Sequence, residues 1–395
     1  MSIPAIHKNR RRVFIKLHRW TGLLLLVFLL IAALTGAILS FSQEVERIVN
    51  PELFVVKPES GRVSYAQIIQ TVESQYSNVS VSAFRITNKQ DQAIQVIVKP
   101  KNKEGISQKQ SGAVVDQIMV NPYNGNILGS RNTKQLIFSK VNLIPLLSRL
   151  HSTLFFGEIG AWIMGITAII WLITLFFGLV LSWPKKSRKL ASWLSLFTVR
   201  WSAGNYKINY DLHQSVALLV FPFLAIIAFT AIYLGLPDVV KPLINSVSPL
   251  TSPSHFTSET QTDLKVRDFN VDDAIHTIQN QYPKAVVSTI NRDTKRKGYS
   301  IRFYLPGDVS RNGNNSAFIS MKGGDVKYIL LAENGSFGDK FISWMRPLHD
   351  GHAFGWIGQF VVLVTALSLS LISVTGLTVY VYKIAHRLSS RKLPA

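Results

Sequence analysis

The 395-residue chain contains no cysteine. Disulfides, covalent c-type haem attachment, iron–sulfur clusters and a thiol redox pair are thereby excluded within it. It also has no G-x-G-x-x-G strand–turn–helix unit, no P-loop lysine motif and no H-E-x-x-H helix, so a nicotinamide domain, an NTPase and a zincin lack their residues. Acid is scarce: 22 Asp and Glu stand against 43 Lys and Arg, a formal net charge of +21. Charge of either sign is missing altogether from Gly22–Phe41, Ile159–Trp183, Val216–Leu236 and Trp356–Tyr382. Each stretch reaches or exceeds the ~20 residues that cross a hydrocarbon core. There the backbone must satisfy itself within a helix or a closed barrel. Four transmembrane helices are expected, with no Gly/Pro-broken pair at mid-depth of the kind that marks many transporters.

The excess positive charge is not a nucleic-acid signal, because of where it lies. Residues 1–17, 184–211 and 383–395 hold 5, 6 and 4 basic side chains against a single acid, Asp211. If every apolar run crosses once, these segments share one side, and the positive-inside rule makes that side the cytoplasm. A multi-pass membrane protein is expected, with both termini cytoplasmic and the longer segments external. Residues 43–150 carry 13 basic and 8 acidic groups and residues 237–350 carry 14 and 12, which are ordinary mixed surfaces. No small-x-small cleavage site follows Ser40, so the first run is expected to remain as an anchor.

Hydrophobic periodicity divides the chain into a cytoplasmic tail (1–17), transmembrane helix 1 (18–46), a first external module (47–142), helix 2 (143–184) and a basic cytoplasmic loop (185–210). Helix 3 (211–236), a second external module (237–347), helix 4 (348–383) and a tail (384–395) follow. Helix 1 is expected to run from about Phe14 to Glu46, ending by Asn50-Pro51. The aromatic piece Trp193–Trp201 of the basic loop suits a lipid surface. In the first module, Val63–Tyr76 has helical spacing and Val79–Ile86, Ala93–Val98 and Val114–Val120 alternate as strands, with a turn at Asn121–Gly125. A Ser/Pro/Thr-rich linker, Ser246–Thr262, precedes the second module. There Val271–Tyr282 repeats the helix, and Val286–Ile290, Tyr299–Tyr304, Ser316–Met321 and Lys327–Leu331 repeat the strands.

The chain is thus an internal duplication, and a histidine marks each unit. Leu150-His151 with Phe156-Gly157 and Ile159-Gly160 recurs in register as Leu348-His349 with Phe354-Gly355 and Ile357-Gly358, continuing to Gly178 and Gly376. More weakly, His18 with Gly22 and Thr35-Gly36 recurs as His213 with Ala217 and Thr230-Ala231. Duplicated membrane halves usually place a shared site at their interface.

The entry Leu17-His18-Arg19-Trp20-Thr21-Gly22, the Thr35-Gly36 exit, Ser182-Trp183-Pro184 and Leu348-His349-Asp350-Gly351-His352 resemble the PepSY-associated transmembrane family over nearly the whole chain. The resemblance implies a membrane α+β fold: four transmembrane helices as two internal repeats, each with an external PepSY-like module. Members include iron-regulated inner-membrane proteins, among them reductases that release iron from ferric siderophores in the periplasm using two b-type haems. The haem-ligating histidines would carry over to His18, His151, His213 and His349. Helix 3 departs from helix 1 in having Ala217 and Ala231 where Gly22 and Gly36 stand.

Sidedness restricts how these histidines pair. His18 and His213 lie at cytoplasmic ends, His151 and His349 at external ends, which offers one bis-histidine site per face. Imidazoles on facing helices suit the two axial positions of a haem iron, with nearby glycines making room for the ring. His352, one turn beyond His349, is the alternative ligand. Arg19, Arg149 and Arg346 are placed to bind haem propionates or, equally, to anchor helix ends among headgroups. Continuous helices would set His151 roughly 48 Å from the level of Trp183. Either Gly157 and Gly355 break the helices and fold the histidines back, or aromatics such as Trp162, Trp171 and Phe176 stand between the rings.

The resulting expectation is a di-haem oxidoreductase passing electrons from quinol or a separate cytoplasmic reductase to a periplasmic ferric chelate. A ferric siderophore held between the two modules is the expected acceptor; membrane lipid is the other partner, and nucleic acid is none. Reduction to Fe(II) weakens hard-oxygen chelation. The rival is a non-enzymatic PepSY sensor or protease-modulating, partner-binding protein, in which boundary histidines need no ligand. Four of them at matched positions count against that rival.

Overall fold

A computed structural model describes residues 8–86, 89–101, 115–184, 189–251, 269–310 and 313–390. The extreme tails, the start of the basic loop at 185–188, most of the linker after Thr251 and the first residue of the Val114–Val120 stretch lie outside the described residues. In chain order the helices are α1 (Lys8–Leu39), α2 (Ser42–Val49), α3 (Pro51–Phe54), α4 (Tyr65–Gln75), α5 (Leu143–Thr153), α6 (Gly157–Ser182) and α7 (Leu190–Leu194). They continue with α8 (Asn205–Leu219), α9 (Phe221–Gly235), α10 (Pro237–Val247), α11 (Val271–Gln281), α12 (Phe337–Asp350) and α13 (Gly355–Ser390). Two compact units emerge, Met1–Phe41 with Leu147–Pro242 and Leu348–Ala395, and Ser42–Leu146 with Leu243–Pro347.

The first unit is the membrane bundle. Three helices within it, over Arg10–Leu39, Gly157–Ser182 and His352–Ser389, are long and apolar enough to cross a bilayer. The third expected span is not continuous: α8 and α9 are bent by 68° at Val220, so they count as a fourth span only as a broken one. This corrects the expectation of unbroken spans, and with it the ground for setting a transporter aside. The cause is legible in Phe221-Pro222. Proline lacks an N–H for the Leu218 carbonyl four residues earlier, and its ring crowds that carbonyl, so the helix cannot run through this turn unbroken. Around the break the interior is apolar, with Val220 and Leu224 packed among Leu25, Leu29, Trp171 and Leu369. The first helix likewise stops earlier than expected, at Leu39, and α2 is a separate element.

The second unit holds both of the modules read from the sequence, and they are not separate bodies. One antiparallel sheet runs β4-β3-β2-β1-β5-β6-β7-β8. Its strands are β1 (Val79–Arg85), β2 (Ile94–Pro100), β3 (Gln117–Val120), β4 (Ile127–Arg131), β5 (Val286–Asp293), β6 (Gly298–Tyr304), β7 (Asn315–Ser320) and β8 (Val326–Leu330). The halves join through β1 and β5, with Phe84 opposite Ile290. Pairing the innermost strands removes two exposed edges that would otherwise invite aggregation. The expected gap between two modules is therefore closed along the sheet. β4 is a further strand beyond those read from the sequence; Gly129 and Ser130 interrupt its alternation.

Alternating burial along β1 and β2 turns Val79, Val81, Ile94, Val96 and Val98 inward, against Ile68 and Val72 of α4 and Ile275 and Ile278 of α11. Each such fully buried side chain contributes about 1.5–3 kcal/mol. Asp272 of α11 accepts from the Tyr65 and Ala66 N–H groups at 2.8 and 2.9 Å, capping the start of α4 from the other repeat. In the first half Arg131 donates to Glu46 at 2.6 Å, both side chains under a tenth exposed. Burial pushes the Glu46 carboxyl above its ordinary range, against the pull of the Arg131 charge.

Candidate functional site

The four marked histidines form two facing pairs inside the membrane bundle, each pair drawing one ring from each repeat. His18 on α1 and His213 on α8 have ring centroids 6.3 Å apart and planes inclined at 78°. His151 on α5 and His349 on α12 stand 6.2 Å apart at 63°.

Their hydrogen bonds fix the ring chemistry. His18 Nδ1 is 3.1 Å from the Thr174 carbonyl, and His213 Nδ1 is 2.9 Å from the Ile372 carbonyl. A carbonyl only accepts, so each Nδ1 carries the proton. His151 Nδ1 lies 2.9 Å from Thr35 Oγ1 and His349 Nδ1 3.0 Å from Thr230 Oγ1. Those hydroxyl protons are already given to the backbone, Thr35 to Ile31 at 2.6 Å and Thr230 to Ile226 at 2.8 Å. Here too the imidazole donates. All four rings are thereby Nδ1–H tautomers with Nε2 as the lone-pair nitrogen, the state of a metal ligand whose other nitrogen is anchored.

The motif glycines seat these imidazoles. A Cβ on Gly178 would lie 3.1 Å from His18 Cε1, one on Gly36 3.1 Å from His151 Cε1, and one on Gly376 3.0 Å from His213 Cε1. This corrects the reading in which those glycines make room for the macrocycle. Gly22 is different: one turn past His18, its missing Cβ would meet nothing within 4 Å. That open space does suit a flat ring. The spacings match between repeats, with 17 residues from His18 to Thr35 and from His213 to Thr230, and 27 from His151 to Gly178 and from His349 to Gly376.

The second glycine pair of the motif explains how His151 and His349 reach inward. α5 ends at Thr153 and α6 begins at Gly157, with φ of 49° at Leu154, 65° at Phe155 and 58° at Gly157. Left-handed Leu and Phe are rare and costly, so packing must hold this break in place. Gly160 supplies the packing, since a Cβ there would sit 1.6 Å from the Thr153 carbonyl oxygen. Gly358 does the same beside Gly351, at 2.1 Å from its oxygen. Folded back in this way, His151 meets α1 at Thr35 while His18 meets α6 at Thr174. Seventeen residues of α1 separate the two levels, about 26 Å at ~1.5 Å per residue. The 48 Å obstacle disappears. Of the aromatics expected between the levels, Trp171 is buried in the apolar cluster with Leu25, Leu29 and Leu224, whereas Trp162 and Phe176 face outward.

His352 is not in either pair; its Nδ1 lies 3.0 Å from Asp350 Oδ1. Arg19 lies over the Trp20 ring at 5.2 Å and has a buried Nε without a partner. Arg149 lies over Phe155 at 5.5 Å, and Arg346 is exposed one turn before His349 on α12. Sequence reasoning passed over Thr35, Thr230, Gly160 and Gly358 as functional residues. The Thr35-Gly36/Thr230-Ala231 repeat and the second motif glycine were the available signals.

A profile of the PepSY-associated TM region matches residues 15–383. The chain belongs to this family. No curated protein matches it. As a PepSY-associated TM protein it is a multi-pass membrane protein, and its two histidine pairs lie wholly within the bundle part of that region. Two nitrogens at ~2.0–2.1 Å on opposite sides of a metal put opposed imidazole centroids roughly 6.3 Å apart. Both pairs fit that span. No group of three or more His, Cys, Asp or Glu suited to a bare metal ion occurs among the described residues. Two axial nitrogens without further protein ligands suit an iron whose equatorial positions a macrocycle fills.

Proposed function

We propose that the protein is a di-haem b oxidoreductase of the bacterial inner membrane that passes electrons outward to a ferric chelate, a siderophore being the class implied by the family likeness. One observation carries the reading: two imidazole pairs, at two depths, each at axial-ligand spacing and each with Nδ1 anchored and Nε2 left for a metal. A haem held there supplies a reversible one-electron couple. The chain's own part is to hold the rings. Backbone carbonyls fix His18 and His213, threonine hydroxyls fix His151 and His349, and Gly178, Gly376 and Gly36 let the rings lie against helix backbone. Apolar packing by Leu25, Leu29, Trp171 and Leu224 keeps water from the region between the levels. Arg19, with its buried unpaired Nε, is the best placed of the three arginines to meet a propionate. The electron donor in this reading is quinol or a separate cytoplasmic reductase.

An anaerobic test is direct. Detergent-purified protein from haem-replete cells, reduced with dithionite, should give a b-type α-band that a ferric siderophore then bleaches as Fe(II) appears. A colourless preparation would favour the partner-binding sensor instead. A coloured one that no ferric chelate reoxidises would leave electron transfer and remove this acceptor.

A further inference from the structure

The middle of the eight-stranded sheet presents two different faces. Phe84, Ile290 and Ile301 lie opposite one another across β1, β5 and β6, buried in one cluster with Ile68 and Val72 of α4 and Ile278 of α11. Side chains alternate along a strand, and directly opposed residues share a face. The adjacent row, Arg85, Thr289 and Arg302, therefore points to the other side. Gln95 on β2 and Ser316 on β7 extend that row. Arg85 and Arg302 are exposed, with Thr289 half-buried between them.

The row carries positive charge without a counterion. Neighbouring strands lie about 4.8 Å apart, so the backbones of Arg85 and Arg302 stand roughly 10 Å from each other. Among the described residues neither guanidinium has an ion-pair or hydrogen-bond partner. The next row, through Ala83, Asn291 and Ser300, has no acid, and Asp293 beyond it is held by Arg296 at 2.7 Å. The Glu46 carboxylate lies within the field of Arg85 but is bonded to Arg131 at 2.6 Å. Arg85 comes from the first repeat and Arg302 from the second, and only the pairing of β1 with β5 brings them to one surface. Guanidinium forks match carboxylate and catecholate oxygens, and the hydroxyl and amide groups of Thr289, Asn291 and Ser300 lie between the forks.

We propose that Arg85 and Arg302 are the two poles of a docking site for an anionic ferric chelate lying across the β1–β5 seam. The proposal rests on the ferric-chelate reading above and adds the charge class of the acceptor to it. A tris-catecholate complex of Fe(III) keeps negative charge on its oxygens, whereas a tris-hydroxamate complex is neutral. Two unpaired guanidinium groups on one polar surface complement the first and gain little from the second. Each repeat supplies one pole, so a single half of the sheet cannot clasp such a ligand from both ends.

Gallium(III) complexes test this, because Ga(III) copies the charge of Fe(III) and accepts no electron, so binding is read apart from reduction. The full-length, detergent-purified protein is titrated by calorimetry with the gallium complex of a hexadentate tris-catecholate, and separately with that of a hexadentate tris-hydroxamate. The catecholate should bind more tightly, with a preference that shrinks as salt rises. Arg85→Gln and Arg302→Gln should each weaken it about tenfold, and together roughly a hundredfold, with little change for the hydroxamate. Lys284→Gln removes an exposed charge from the loop before β5 and should alter neither. Equal affinities for the two complexes, binding of neither, or arginine variants that hold the catecholate as the wild type does would overturn the proposal. A b-type band in the same preparation would then leave electron transfer standing. Arginine-dependent catecholate binding by a preparation without that band would support the docking site and remove the di-haem reading.

Discussion

The two repeats of the membrane bundle reach the same histidine geometry by different routes. In the first, α1 is a single helix from Lys8 to Leu39, and glycine at position 36 admits the His151 ring at 3.1 Å. In the second, the equivalent path is α8 and α9, bent by 68°, and Ala231 stands where the first repeat has glycine. The seats nevertheless match, with His151 Nδ1 2.9 Å from Thr35 Oγ1 in the first repeat and His349 Nδ1 3.0 Å from Thr230 Oγ1 in the second. Straight helix plus glycine, or broken helix plus alanine, gives the same seat. What the two repeats share is the position of the imidazole, which is what the proposed site requires.

Substitutions at the seats should break this comparison most strongly. Gly178→Leu and Gly376→Leu would each drive a side chain into a ring of the His18–His213 pair, at contacts already 3.1 and 3.0 Å from a single added carbon. Each should abolish haem at that level and leave the other level's absorbance, read by difference spectroscopy.

Next in size is the asymmetry between the two halves of the sheet unit. Among the described residues, Arg131–Glu46 is an ion pair with both partners under a tenth exposed, and it lies in the first half. Arg131→Met strands the carboxylate and should cost about 3–5 kcal/mol in denaturation of the full chain. Without Arg131 the Glu46 pKa, already raised by burial, rises further. A raised carboxyl pKa contributes stability at low pH that is lost as pH rises through it, so the deficit of the variant should grow from about pH 4.5 upward.

The smallest effect sharpens the repeat comparison itself. Gly36→Ala forces the His151 ring to give way and should cost about 1–3 kcal/mol and weaken haem retention at that level. Ala231→Gly should change haem content little, because His349 is already seated at Thr230 with alanine in the next position. Equal effects at both positions would mean that the break at Val220 has no part in seating His349.

Much of this was legible beforehand. Charge-free runs of ~20 residues mark spans whatever their partners. The in-register Leu-His, Phe-Gly and Ile-Gly repeat marked His151 and His349 against His352, and period-2 alternation marked most of the strands. What escaped was tertiary. No local pattern says that Phe84 will lie opposite Ile290, or that Asp272 will cap a helix 207 residues earlier. β4 escaped because Gly129 and Ser130 weaken its alternation. Phe221-Pro222 did carry a signal, outvoted by the hydropathy around it. The threonine anchors escaped for a different reason: a buried hydroxyl looks like any helix threonine bonded to its own backbone until an imidazole is found beside it.

The pairing of histidines across repeats is tested most directly by the haem-to-chain ratio of double variants. His18→Ala/His213→Ala and His151→Ala/His349→Ala each remove both rings of one level, and each should retain half the haem of the wild type. His18→Ala/His151→Ala takes one ring from each level and should lose most of both. Full haem content in all three, or equal loss in all three, would contradict the two-level arrangement.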